Sequence, residues 1–293
     1  MRKTAAAIAA AILCSGGAPA PTAAPAPPAA VQCPPLPGAA EVLALPGKRY
    51  ILFGEIRGTV EAPALFGDLV CAAASAGPVI VSLDLEEDQQ APLEAYLASD
   101  GSPAARAALT STRHWSTAVD GTASGAMLAL VEQLRVLKKR GLPLFVITSR
   151  RSAGGTGSGA SKAMADIWMA SLKARPGARL LALVGNFQAM RKPLIGGPIA
   201  AAQVPPALAH LPAAAHLPAA ETLTLDSASV GGFAWHCQQE CKAHDLRQRP
   251  RKAIRPRGIV PIPAEHPDSR QFDRWYSPGA AFTASPPVSV KEL

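Results

Sequence analysis

From residue 49 onward, short apolar runs alternate with longer stretches of helical period. That alternation predicts an α/β fold: a mostly parallel central sheet flanked by helices in a single domain. Residues 49–53, 78–85, 142–148 and 180–184 read as strands. Each carries a short β-branched or aliphatic run, as strands covered on both faces require. Residues 62–74, 89–98, 103–110, 124–140 and 161–174 read as helices. The clearest is 124–140, where Met127, Leu128, Val131, Leu134 and Leu137 recur at core-facing spacing. It closes on basic residues and Gly141, as helix termini prefer. Residues 193–218 are rich in Pro and Ala and read as an irregular excursion. Residues 221–225 and 232–236 read as a final strand pair, after which Pro and Arg dominate and little order is expected.

The two ends of the chain differ from this middle. Met1-Arg2-Lys3 precedes an apolar run, Ala5 to Leu13, that is too short to span a bilayer, which is the layout of an export signal. The proline-rich stretch after it, Pro19 to Pro37, cannot continue a folded helix. Residues 1–33 are therefore read as signal and tether, 34–241 as the domain, and 242–293 as a basic, Pro-rich, poorly ordered tail. Leu13 stands where a lipoprotein signal needs a small residue before Cys14, so a periplasmic or secreted protein without a lipid anchor is expected.

Export into an oxidising compartment makes Cys33, Cys71, Cys237 and Cys241 disulfide partners rather than reactive thiols, with Cys237 and Cys241 the natural pair. His236 and His244 flank that pair, but the spacing matches no common zinc module, and no metal site is assigned. The formal charge of +8 is uneven: residues 1–3 carry +2 and residues 242–258 carry +6, leaving the rest close to neutral. Arg247, Arg249, Arg251, Lys252, Arg255 and Arg257 could touch an anionic surface. No aromatic platform alternates with them, so specific nucleic-acid binding is not expected.

In an open parallel sheet, ligands bind beyond the carboxyl ends of the strands. The polar residues just after predicted strands are Glu55 with Arg57, Asp84 with Glu86 and Glu87, Ser149 with Arg150 and Arg151, and Asn186 with Gln188. If the first, second and fourth strands lie together, Glu55 and Asp84 pair beside Arg57 and the Asn186 amide. Carboxylates so placed could hold a cation or act as a base. Equally, they could be ordinary strand-end ion pairs and turn caps. The glycine-rich run Gly154 to Gly159 lacks the Gly-Lys-Ser/Thr of a phosphate loop, and Ser158 fails the nucleophile-elbow spacing. His114, His210 and His216 fall in loops without convincing carboxylate neighbours.

The strand-end motifs, taken in order, resemble the Tiki/TraB and ChaN-like haem-uptake superfamily, related to the erythromycin-esterase fold. Leu52-Phe53-Gly54-Glu55-Ile56-Arg57-Gly58-Thr59 is similar to its opening Gly-Glu-x-His motif. Val79 to Asp84 is similar to a strand ending in a family acidic residue. Ala163-Met164-Ala165 resembles the Met-Ala of a motif that usually begins Arg-Asp, and Gly185-Asn186-Phe187-Gln188 a second Gly-x-x-His motif. Both family histidines are missing, replaced by Arg57 and Gln188, and Ala160-Ser161 stands for the Arg-Asp pair.

A guanidinium offers only donors and stays protonated, so Arg57 cannot ligate a metal or act as a base. A glutamine amide is a poor substitute for imidazole at a transition metal. The resemblance therefore implies a degenerate, non-catalytic site that binds a small molecule or peptide through Arg57, Asn186 and Gln188. Its alternatives are a hydrolase using Glu55 and Asp84 without histidine, or a haem-binding uptake protein with iron contacts from His114, Tyr96, Met164 or Met190. A divalent metal or haem is the cofactor that the resemblance would allow.

Overall fold

A computed structural model describes residues 31–151, 157–193, 209–228, 231–237, 239–246 and 255–289. Residues 1–30, which the sequence reading assigns to a signal and tether, part of the Gly154 to Gly159 run, most of the 193–218 excursion and Arg247, Arg249, Arg251 and Lys252 lie outside those residues.

The architecture is α/β, with a seven-stranded, mostly parallel sheet flanked by helices. Among the described residues the chain runs α1 (Ala39–Ala44), β1 (Tyr50–Glu55), α2 (Glu61–Ala76), β2 (Val79–Glu86), α3 (Gln90–Ala98), α4 (Pro103–Thr110), α5 (Arg113–Thr117), α6 (Gly125–Lys139), β3 (Leu144–Arg150), α7 (Ser158–Ala174) and β4 (Arg179–Gly185). It continues through β5 (Thr222–Ser227), β6 (Phe233–Cys237), β7 (Cys241–Asp245), β8 (Gly258–Pro261) and β9 (Arg274–Ser277). The sheet order is β3-β2-β4-β1-β5-β9-β8. All pairings are parallel except β8 with β9.

Two apolar layers explain why the strands read as unbroken hydrophobic runs. Ile51, Phe53, Val81 and Leu83 face a layer built mainly from α2, α3 and α6. Leu52, Ile80 and Leu180 face a second one around Trp168 of α7, whose indole nitrogen donates to the buried Ser82 hydroxyl at 2.8 Å. In α6, Met127, Leu130, Val131, Leu134 and Leu137 are buried, and the Ser124 hydroxyl caps the helix by accepting from the Met127 amide. Loss of such a cap costs about 1 kcal/mol.

Three expectations are corrected. The first concerns the tail from residue 242, which is folded into the molecule wherever it is described. β9 pairs parallel with β5, and β8 closes the edge of the sheet. Tyr276 of β9 stacks on Phe53 at 3.9 Å and donates to the Gly54 carbonyl. Its composition is polar because it forms a short edge, yet its few aromatics are core residues. Arg255 lies over the Trp275 ring and Arg257 pairs with Asp68, so those two cations serve the fold. The second concerns β5 and β6, which are not partners. β5 lies beside β1 in the main sheet, and β6 pairs antiparallel with β7 in a separate hairpin. The third concerns the start of the domain: Cys33 is bridged to Cys71 in the middle of α2, binding the end of the supposed tether to the core. Cys237 and Cys241, register partners across the hairpin, form the second disulfide.

Candidate functional site

The order β2-β4-β1 brings the first, second and fourth sequence-predicted strands together, so their carboxyl ends share one crevice. β1 ends on Glu55 and the chain then turns through Gly58, whose φ is +74°. A Cβ there would sit 2.0 Å from the Trp235 carbonyl oxygen, so only glycine lets the β6–β7 hairpin dock on this turn. The Trp235 amide donates to the Gly58 carbonyl at 2.8 Å, fixing that contact.

Glu55, Arg57, Asp120, Asn186, Phe187, Gln188 and His236 line a cavity of ≈ 420 Å³. An adjoining cavity of ≈ 370 Å³ shares Arg57, Asp120 and Gln188 and adds Asp84, Glu86, Arg150 and Met164. The five residues singled out from strand ends therefore line one continuous groove. Two more polar residues were not anticipated as its walls. Asp120 comes from the loop before α6, and His236 comes from the hairpin that folds back over the β1 turn.

Charge in the groove is largely cancelled by four side chains. Asp84 accepts from Arg57 through one oxygen and from the Arg150 Nε at 3.1 Å through the other. Asp120 completes the ring, 3.4 Å from Arg57 and 3.7 Å from Arg150. Burial pushes the Asp84 carboxyl up, but the two guanidiniums outweigh it and hold the group at about 2. Burial likewise opposes ionisation of Arg57, yet Asp84 and Asp120 raise it above its ordinary value. The Arg57 guanidinium packs over Gly185 of β4, where a Cβ would be in ordinary contact with it at 3.4 Å.

Glu55 behaves in the opposite way. It is 4% exposed, and its carboxyl has no hydrogen-bond partner among the described residues. Burial pushes its carboxyl up to about 7, against the pull of Arg57 and with help from Asp84. A carboxyl of this kind exchanges its proton near neutrality.

Gln188 is engaged rather than free. Its side-chain oxygen accepts from the Ser161 hydroxyl and the Ala213 amide, both at 2.9 Å. His210 lies 3.1 Å from that same hydroxyl. Neither imidazole position of the resemblance offers a metal donor, and Asp84 already serves two cations. Among the described residues no group of three or more His, Cys, Asp or Glu could hold a metal. The groove does not fit a divalent ion. Of the four residues considered as iron contacts, only Met164 lines either cavity. Tyr96 donates to Glu132 at 2.7 Å between α3 and α6, and His114 is buried beside Thr122.

No family model matches this sequence, and no curated protein matches it. Solved structures share its fold. A histidine-to-asparagine mutant of erythromycin esterase in its open conformation superposes with a TM-score of 0.51 at 10% identity, covering 85% of this chain and 93% of the esterase. A succinoglycan biosynthesis protein superposes with a TM-score of 0.61 at 9% identity, covering 85% of this chain and 91% of that protein. At such identities the likeness is one of fold, and it agrees with the esterase-related architecture that the strand-end motifs imply. The two disulfides fit an oxidising compartment, and no described helix is long and apolar enough to cross a membrane.

Proposed function

We propose that this is an exported binding or accessory protein that holds a small molecule or peptide in the groove without cleaving it. One observation carries the reading: where the resemblance places two histidines, Arg57 is bound by Asp84 and Asp120, and Gln188 by Ser161 and Ala213. Neither residue can accept a proton, and the guanidinium is already neutralised by carboxylates. Ile56, Phe187 and Leu246 add apolar lining to the cavity that Glu55 and Asn186 share. That lining suits an uncharged ligand with one polar group, which the Glu55 carboxyl meets as donor below pH 7 and as acceptor above it.

A second reading keeps the esterase chemistry. It is favoured by Glu55 alone, a buried carboxyl that titrates near neutrality against an open cavity. Asp84 cannot share the role, because both its oxygens are occupied. Turnover of p-nitrophenyl acetate, with and without EDTA, separates the readings. The binding reading predicts no turnover above that of Glu55→Gln. Turnover that Glu55→Gln abolishes and EDTA leaves intact supports hydrolysis, whereas turnover that EDTA abolishes contradicts both.

A further inference from the structure

The groove lies at the carboxyl ends of the strands, and the opposite rim has a different electrostatic character. In a parallel α/β fold each connecting helix ends where the next strand begins. Accordingly α6 ends at Lys138 and Lys139, and α7 carries Lys173 in its last turn, where cations complement the helix dipole. Those lysines are explained by their helices. Lys48, Arg49 and Arg179 are not, since two precede β1 and the third opens β4.

The register Tyr50↔Leu180 sets Arg49 beside Arg179, and the three cations line one cavity of ≈ 390 Å³. Arg49 lies 3.5 Å from Glu221, a loose pairing between half-exposed groups. Lys48 donates to the Thr222 carbonyl at 2.8 Å, and Arg179 spends its Nε on the Lys48 carbonyl at 3.2 Å. Among the described residues neither Lys48 nor Arg179 is paired with a carboxylate. Burial lowers the pKa of Arg179, and no acid offsets it. Gly77 and Gly177 lie at its open mouth, where a Cβ at either would meet nothing within 4 Å. The strands carry no counter-charge to this end. Desolvating a guanidinium costs free energy that a bound oxyanion, accepting two parallel N–H bonds, would offset.

We propose that this cavity is a binding site for a phosphate or sulfate group, held by Arg179 and Arg49 with Lys48 adding charge. It lies about 20 Å from the groove, the length of a six-residue strand, so its fate is independent of the function proposed above.

The test is a ¹H–¹⁵N NMR titration of the full chain with inorganic phosphate at ionic strength held constant with sodium chloride. Saturable shifts are expected at residues 47–50 and 177–180. Arg179→Gln should weaken binding at least about tenfold, the worth of one charge-assisted hydrogen bond. Lys48→Gln should weaken it by a smaller factor, and it serves as the second variant should Arg179→Gln not fold. Flotation with phosphatidylglycerol vesicles, against phosphatidylcholine vesicles, identifies the source of the group. Arg179-dependent flotation assigns it to a lipid headgroup, and phosphate binding without flotation assigns it to a soluble ligand. Shifts no larger than those with chloride alone, or equal in wild type and both variants, overturn the proposal.

Discussion

Glu55 and Asp84 show how two carboxyls in one groove acquire opposite behaviour. Both are buried, so both pay desolvation, and only Asp84 has two guanidiniums on it. Asp84 therefore stays ionised and structural, while Glu55 holds its proton to about pH 7. Because the folded chain binds that proton more tightly than the unfolded one, the stability Glu55 contributes is full below about pH 4.5 and lost as pH rises through 7. The loss amounts to about 3 kcal/mol at most. Glu55→Gln removes the titration, so urea unfolding from pH 5 to pH 8 should show the wild type losing stability relative to the variant. Parallel curves for the two proteins would refute the assignment. From sequence, the strand-end rule located Glu55, Arg57, Asp84, Asn186 and Gln188, because topology alone decides where such positions converge. It missed Asp120, whose Asp-Gly-Thr loop carries no periodic signal, and His236, which reaches the groove only through the folding back of a hairpin.

The strands β1, β2 and β4 were legible because burial on both faces demands largely apolar runs, the edge strand β3 because its run is apolar too, and α2 and α6 because their apolar stripes are long. β8 and β9 were not, being four residues each with charged or proline neighbours. The cysteines show the same division. Cys237 and Cys241 are close in sequence, whereas the partner of Cys33 depends on α2 packing against the N-terminal segment. Closing a 38-residue separation restricts the unfolded chain by about 4 kcal/mol, against about 2 kcal/mol for a separation of four. Cys33→Ala with Cys71→Ala should thus lower the midpoint of thermal unfolding clearly more than Cys237→Ala with Cys241→Ala. Equal losses would mean that the N-terminal clamp contributes little to the fold.

The chain closes its sheet with its last described strands, so the polar C-terminal region is structural. A chain ending at Leu246 loses Tyr276 and Trp275 from the two apolar layers and exposes the edge of β5. It should be insoluble or unfold without cooperativity, and a sharp transition at the full chain's midpoint would show that β8 and β9 are dispensable. Charge is distributed with the same directionality. The groove at one end of the strands holds a near-neutral ring of two arginines and two aspartates, and at the other end Lys48, Arg49 and Arg179 line a cavity where, among the described residues, Glu221 pairs loosely with Arg49. The account rests most heavily on Glu55 as a buried groove carboxyl that exchanges its proton near neutrality. Carbon-13 NMR of glutamate-labelled protein, with Glu55→Gln to assign the resonance, measures this directly. A midpoint close to pH 7 is predicted, and a midpoint between 4 and 5 would contradict it.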